Sequence, residues 1–470
     1  MSQAKTRVLI VGDLFGFPHG TGATTRVLSI ARGLLAAGAD VRVLVTRYSE
    51  RESATALNRD ARGVFEGVPY AYSTGTSVRP QTFMQRRLSP VKGILGSAGQ
   101  IVSLEGDPPD AVLLFTGHTL ALPTVTRLAT LSRGSVLLFD GCEKPYVYEQ
   151  GSSVRRAEER IYTPVMYRLY DGVFAISDYL VRYFASRIRS GARIMKVPIL
   201  VDLDRFTPPQ HVARPAPPRY IAYTGALAES KGVHILIRAF ATIADEFPDL
   251  KLRLSGGRSP QSYEDGLVRL AKALGVANRV EFVGVVAYEE FPPLLQGADA
   301  LVVPHPRGEF SNAAFPTKLG EYLASGTPTI ATRVGEVDRY VADGVDLYLA
   351  PPDDPARLAQ RVRHVLLHPD EAAVVGAKGR ETARKHFDCR VHGRRLLLLI
   401  RDLRAARAGG LLGRPGSSGD PARCHPRITE TGSAEVGSAA SDSCEADGRA
   451  DGMARWRGVF DSTCSGIGGS

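Results

Sequence analysis

Three stretches of this 470-residue chain put glycine, a cation or a carboxylate where a strand gives way to a helix. The first runs Asp13-Leu-Phe-Gly-Phe-Pro-His-Gly-Thr-Gly-Ala-Thr-Thr-Arg26, with glycines at Gly16, Gly20 and Gly22 and a helix capped by Thr24 or Thr25. Glycine lets backbone amides approach a ligand, and a helix N-terminus favours an anion. No G-x-G-x-x-G sits between strand and helix and no Gly-Lys-Ser/Thr follows, so neither a dinucleotide fingerprint nor a P-loop is present. The stretch reads equally as a ligand loop or an ordinary glycine-rich turn. The second, Tyr223 to Gly232, sets Lys231 where an amphipathic helix begins. A cation there opposes the helix dipole unless something negative is bound, and phosphate oxygens would supply that charge; a solvated surface lysine is the other reading. The third, Phe310 to Gly326, carries Pro316 at the first helical turn, where a missing N–H costs nothing. Amides near Ala314 to Thr317 would then point at the cleft between the domains. Glu321, about one and a half turns further in, sits among Leu319, Tyr322 and Leu323. A carboxylate on that buried side can accept hydrogen bonds from paired sugar hydroxyls.

These loops need strands to hold them. Short β-branched runs recur at Arg7–Asp13, Val41–Arg47, Ala111–Phe115, Val136–Asp140 and Gly172–Ile176, with helical spacing between them, notably at Thr24–Ala37 and around Arg155–Leu169. Strands alternating with helices predict a parallel sheet covered on both faces. The alternation restarts at Tyr220 and continues through Lys251–Gly256, Val280–Gly284, Ala300–Pro304, Thr329–Thr332 and Leu347–Ala350. The expected organisation is a first Rossmann-like domain at 1–205, a proline-rich linker at 206–218 and a second domain at 219–388. A helix at 389–408 returns toward the first domain, and a disordered tail follows at 409–470, rich in Gly, Ser and Ala without periodicity. Strand carboxyl ends of both domains face one cleft, where ligands of open α/β sheets bind.

Composition limits the function classes. Apolar runs fall short of the roughly 20 residues that cross a bilayer, and no signal-peptide order opens the chain. Five cysteines without metal-ligand spacing fit a reducing cytoplasm and imply no structural metal. The net charge of +10 is concentrated in residues 1–205 and suits an anionic partner or plain solubility. Within that half, Arg79 to Lys92 mixes Arg86, Arg87 and Lys92 with Phe83, Met84, Leu88 and Val91, which fits an anionic membrane surface or an ordinary surface helix.

The segments GALAESKGVHILIRAF, LRLSGG, VEFVGVV and FPTKLGEYLASGTPTIAT, in this order, resemble the retaining family 4 glycosyltransferases. VGDLFGFPHGTGATTRVLSIARGLLAAGADVRVL is similar to the acceptor-domain opening of the same family. The likeness spans roughly residues 6–400 and implies a GT-B fold of two Rossmann-like domains. It also implies transfer of a hexose from a nucleotide diphosphate sugar to an acceptor hydroxyl, with retention at the anomeric carbon. The acceptor expected is a glycan or a lipid-linked sugar in cell-envelope or exopolysaccharide synthesis, made in the cytoplasm and at the inner face of the membrane. Neither nucleic acid nor metal takes part, and no cofactor beyond the donor is implied. Asp202-Leu-Asp204 looks like the metal-binding D-x-D of another fold but sits beside the linker, where turn chemistry explains it.

By resemblance, Lys231 matches one member of the basic pair that holds the donor diphosphate, while the other falls on Ala226. Glu321 matches the carboxylate that holds the donor ribose, and the glutamate touching the donor sugar falls on Ala313. Asn312 and Arg307 are the substitutes nearest those gaps. Gly22, Phe315, Pro316 and Thr317 complete the donor set, with the base near Gly284 and Val286. On the acceptor side, Asp140 or Glu143, after the strand Val136–Phe139, would orient the hydroxyl, with His118 a competing candidate. Two other readings stay open. One is a nucleotide- or glycan-binding protein weakened at Ala226 and Ala313, and the other is a nucleotide-sugar 2-epimerase.

Overall fold

The computed structural model describes residues 5–20, 22–51, 56–102, 108–117, 120–143, 163–206, 219–257, 261–308, 311, 313, 315–409 and 428–429. The expected linker beyond Phe206, the tail from 410 apart from 428–429, His118 and Asn312 lie outside them.

The first sheet forms from β1 (Arg7–Gly12), β2 (Asp40–Val45), β3 (Arg62–Phe65), β4 (Val68–Tyr72), β5 (Ala111–Phe115), β6 (Val136–Gly141), β7 (Gly172–Ala175) and β8 (Arg193–Lys196), with a two-residue strand β15 (Ile428–Thr429) on its edge. Its order is β15-β8-β7-β6-β5-β1-β2-β4-β3. Central strands such as Ala111–Phe115 and Val136–Gly141 are buried along their whole length, as expected for strands covered on both faces. Among the described residues of this sheet only β3 and β4 pair antiparallel. The second sheet, β11 (Val280–Gly284), β10 (Lys251–Ser255), β9 (Tyr220–Thr224), β12 (Ala300–Val303), β13 (Thr329–Thr332) and β14 (Tyr348–Ala350) in that order, pairs parallel throughout. Strand order reverses beside β1 in the first sheet and beside β9 in the second. Each reversal opens a crevice at the strand carboxyl ends, and the loops after β1 and β9 emerge there.

The helices that matter for the site are α1 (Gly22–Ala36), α2 (Phe83–Val102), α3 (Ala121–Arg133) and α4 (Asp178–Ala185) in the first lobe. In the second are α5 (Val233–Ile243), α6 (Gln261–Ala273), α7 (Phe291–Gln296), α8 (Thr317–Ser325), α9 (Pro355–Leu367) and α10 (Pro369–His386). The chain then crosses back. Val201 N donates to Phe387 O at 2.8 Å and Cys389 N donates to Val201 O at 3.0 Å. Helix α11 (Cys389–Ala408) follows and lies on α1. Leu396, Leu397, Ile400 and Leu403 join the core beneath β1, β5 and β6, each burial contributing roughly 1.5–3 kcal/mol. The two helices approach through glycine: a Cβ on Gly393 would lie 2.0 Å from Gly33 O, and one on Gly33 would lie 2.2 Å from Cys389 O.

Among the described residues no helix is long and apolar enough to cross a membrane.

Candidate active site

The loop after β1 is wound tightly over its own helix. Thr24 Oγ1 donates to Gly16 O at 2.8 Å. A Cβ on Gly20 would sit 2.1 Å from Thr24 Oγ1, and one on Gly16 would sit 2.6 Å from Ser49 Cβ. Only glycine leaves the loop this flat. It brings the start of α1 to the start of α8: a methyl group added at Gly22 would meet Thr317 Oγ1 at 3.8 Å. Neither helix carries an acidic residue in its first turn. Two positive dipole ends, one from each lobe, therefore face the same space without a local counter-charge on their own first turns.

Lys231 ends a short 3-10 turn, Glu229–Lys231, ahead of α5. Gly232 holds the bend with φ +72°, and a Cβ there would lie 1.9 Å from Pro304 O, so the loop rests directly on the end of β12. Burial pushes the Lys231 ammonium down to about 8, partly countered by Glu143 reaching over from the first lobe. Beside it His305 is buried and held neutral, its pKa pushed down to about 3 by burial and by the Lys231 charge.

Glu321 is buried on α8 and accepts from Lys318 Nζ at 2.8 Å, with Arg205 Nη1 at 3.6 Å. Arg205 stacks 3.7 Å above the Tyr288 ring and donates to Tyr288 O at 2.9 Å; Lys318 Nζ lies 4.3 Å from the Phe291 ring. The carboxylate is thus aimed and keeps lone pairs for a further donor. Pro316 caps α8 with φ −59°, and Thr317 opens it. Phe315 contributes its backbone only, because its ring is core, edge-on to Tyr340 at 5.3 Å and against Phe387 at 5.8 Å. Tyr322, one residue past Glu321, ties α8 to the central strand: Thr224 N donates to its hydroxyl at 2.6 Å. Gly284, with φ +74°, and the half-buried Val286 lie at the exposed edge, where Gly256 N donates to Gly284 O at 2.9 Å. Ala313 is buried, and its carbonyl accepts from Ser177 Oγ of the first lobe at 2.7 Å.

Asp140 does something other than orient a hydroxyl. Arg26 Nε and Nη2 donate to its two oxygens at 2.8 and 2.9 Å, and Cys142 Sγ donates to Oδ2 at 2.5 Å. Arg26 also holds Pro198 O and Val197 O. Both partners are buried, so the carboxylate is committed to a charge pair that pins α1 to the sheet. Glu143 is exposed on the same loop, with its charge within reach of Lys231. Arg307 is exposed, with its amide bonded to Asp353 Oδ2 at 3.1 Å. Asp202 Oδ1 accepts from Asp204 N at 3.2 Å and Oδ2 meets Arg32 at 2.5 Å, which is turn and ion-pair chemistry. Among the described residues no group of three or more His, Cys, Asp or Glu could hold a metal.

Sequence reasoning missed Arg205, Lys318, His305 and Asp13. Asp13, Phe15, Arg47, Tyr48 and Ser49 line a cavity of about 150 Å³ at the ends of β1 and β2. Burial raises the Asp13 pKa; Thr116 and Gly117 hydrogen bonds and the Arg47 charge oppose the rise. Its strand-end position in the glycine loop was the one available signal.

Two family models divide the chain between them: a glycosyl transferase 4-like domain matches residues 21–200 and glycosyl transferases group 1 matches residues 204–382. The chain belongs to this glycosyltransferase family and has its GT-B fold, two parallel-sheet α/β lobes facing a cleft. Among relatives, it is 31% identical over 193 residues to a D-inositol 3-phosphate glycosyltransferase of Corynebacterium urealyticum, covering 38% of this chain and 44% of that one. It is 31% identical over 249 residues to a GDP-mannose-dependent alpha-(1-6)-phosphatidylinositol monomannoside mannosyltransferase of Mycolicibacterium smegmatis, covering 50% and 64%. The chain thus spans about half the length of these curated relatives. Sucrose-phosphate synthase from Thermosynechococcus elongatus superimposes with a TM-score of 0.65 over 85% of this chain and all of that one, at 21% identity.

Proposed function

We propose that the chain moves a hexose from a nucleotide diphosphate sugar to an acceptor hydroxyl with retention of configuration, in the synthesis of a cell-envelope or extracellular glycan. The observation that carries this reading is the meeting of the α1 and α8 N-termini, neither with an acidic first turn, between lobes across which the charge of Glu143 also reaches Lys231. Such a site favours a diphosphate, and more so as negative charge grows on it during departure of the sugar. Glu321, steadied by Lys318 and Arg205, accepts from the ribose hydroxyls. Ala313 stands where a carboxylate would approach the sugar, so the leaving phosphate itself takes the acceptor proton on the face it vacates. Lobe closure over the donor excludes water.

On the acceptor side, the Asp13–Arg47 cavity fits a polar, hydroxyl-bearing group, and Arg47 adds a cation for a phosphorylated one. The two relatives named above act, by their names, on an inositol phosphate and on a phosphatidylinositol mannoside; both are compatible with such a pocket, and GDP-mannose is a donor worth testing first.

Calorimetric titration with UDP and with GDP tests the donor site. Wild type should bind at least one of them, and Lys231→Ala should weaken that binding at least ten-fold while leaving the thermal midpoint unchanged. Equal affinity in the variant would remove Lys231 from the diphosphate site. A second reading, a binding protein without turnover, is favoured by Ala226 and Ala313; it predicts tight nucleotide binding with no release from any donor.

A further inference from the structure

Helix α2 is built inside out. The face it turns to the protein is small: Ser89, Gly93 and Ser97 are buried with Ile101, a Cβ on Gly93 would lie 1.9 Å from Thr46 O, and one on Gly96 would lie 2.6 Å from Ser73 O. Apart from Ile94 and Ile101, the large apolar residues face outward. Met84, Leu88, Val91 and Leu95 are 64, 58, 52 and 60% exposed. At 3.6 residues per turn these four, with the exposed Val102, fall within roughly 60° of one another, on a ridge about 27 Å long. An ordinary surface helix has the reverse arrangement. Leu128 and Leu131 on α3, which packs beside α2, are also exposed.

Charge completes the pattern. No carboxylate occurs between Glu66 and Glu105, a stretch that holds Arg79, Arg86, Arg87 and Lys92. Helical geometry sets Arg87 on one flank of the ridge and Lys92 on the other. Both are exposed, and the Arg87 guanidinium rests 5.2 Å from the Phe83 ring. Long basic side chains flanking an apolar ridge can reach headgroup phosphates while the ridge enters the acyl boundary. A protein partner would need acids against both flanks and an apolar groove between them; an anionic bilayer offers the same complement without a fitted shape.

We infer that the α2 face is a docking surface for an anionic lipid bilayer, on which the acceptor lobe rests. The inference bears on the acceptor side of the proposed function, but vesicle binding needs no donor, so either can fail alone. The test is co-sedimentation of the full chain with phosphatidylcholine vesicles, with and without 30% phosphatidylglycerol, at low and high salt. Wild type should sediment with the anionic vesicles at low salt and stay in solution with the neutral ones. Arg87→Gln with Lys92→Gln should lower the partition coefficient about 25-fold, near five-fold per cation. Leu88→Ser with Leu95→Ser should lower it at least ten-fold at an unchanged thermal midpoint, since both side chains already face water. No sedimentation of wild type with anionic vesicles, or unaltered sedimentation of both variants, overturns the inference. So does lipid-free self-association that Leu88→Ser with Leu95→Ser abolishes, because the face would then be an interface between copies of this chain.

Discussion

At Lys231 the protein holds an ammonium in a place that costs it charge. Burial brings its pKa down to about 8, and His305 beside it stays neutral chiefly because burial disfavours its charged form, with the Lys231 charge adding to the effect. A bound diphosphate reverses the balance: its negative charge favours the protonated lysine and raises the pKa in the complex. Below about pH 7 the lysine is charged with or without ligand, so affinity is flat. Between the free and bound pKa values, binding takes up a proton, and affinity falls as pH rises. Titrations of nucleoside diphosphate at pH 7 and pH 9.5 should differ by about ten-fold or more in wild type, with proton uptake visible as a buffer-dependent heat at the higher pH. Lys231→Ala should lose both the uptake and the pH slope. A wild-type affinity independent of pH across this range would mean that the ligand does not touch Lys231.

Among the helices, the contact between α1 and α11 is the least forgiving. It is made glycine to glycine at Gly33 and Gly393, and it fastens the last helix of the chain to the lobe that begins it. Gly393→Ala should force the helices apart and cost about 1–3 kcal/mol, read as a lower urea midpoint at unchanged slope; an unchanged midpoint would show that the crossing can relax. The strands flanking this contact were legible in sequence, since β1, β5 and β6 are uninterrupted apolar runs. The β3–β4 hairpin was not. Its two-residue turn uses Glu66 at φ +50° and Gly67 at φ +75°, whereas the recognisable signal for such a turn begins with Asn, Asp or Gly. Asp140 was misread for a related reason. Its position at a strand end was correct, but its partner Arg26 lies 114 residues away and only the fold brings them together. Arg205 escaped notice because it lies far from Glu321 in sequence; Lys318, an i,i+3 neighbour on the same helix, was within reach of sequence reasoning and was passed over. The motif around Glu321 was readable because it is one continuous segment, Phe315 and Pro316 leading into the helix that carries Glu321.

At the scale of the whole molecule, the two lobes meet through apolar contacts, such as the Phe65 ring edge-on to Tyr288 at 5.2 Å and Ile199 against Gly320, and through a set of polar groups. Ser177 bonds the Ala313 carbonyl, Glu336 Oε1 accepts from Asp178 N at 2.5 Å and Glu336 Oε2 accepts from Lys196 Nζ at 2.7 Å. Arg339 joins Asp178 in the same network. The contacts that Glu336 and Arg339 make are part-buried or exposed and can exchange for water, which suits the opening and closing that the proposed function asks of the cleft. The carbonyl that Ser177 holds belongs to Ala313, the position where the family resemblance expects a glutamate, so on the proposed function lobe contact and donor contact share one residue. Whether that cleft transfers sugar is decided by a panel of UDP- and GDP-sugars, GDP-mannose included. The measurement is nucleoside diphosphate release by wild type and Lys231→Ala, with the anomer of the product followed by NMR. The account predicts release from at least one donor, with the α or β configuration of the donor kept in the product, and a loss of about 100-fold or more in Lys231→Ala. No release from any donor, an inverted product, or equal turnover by the variant would contradict it.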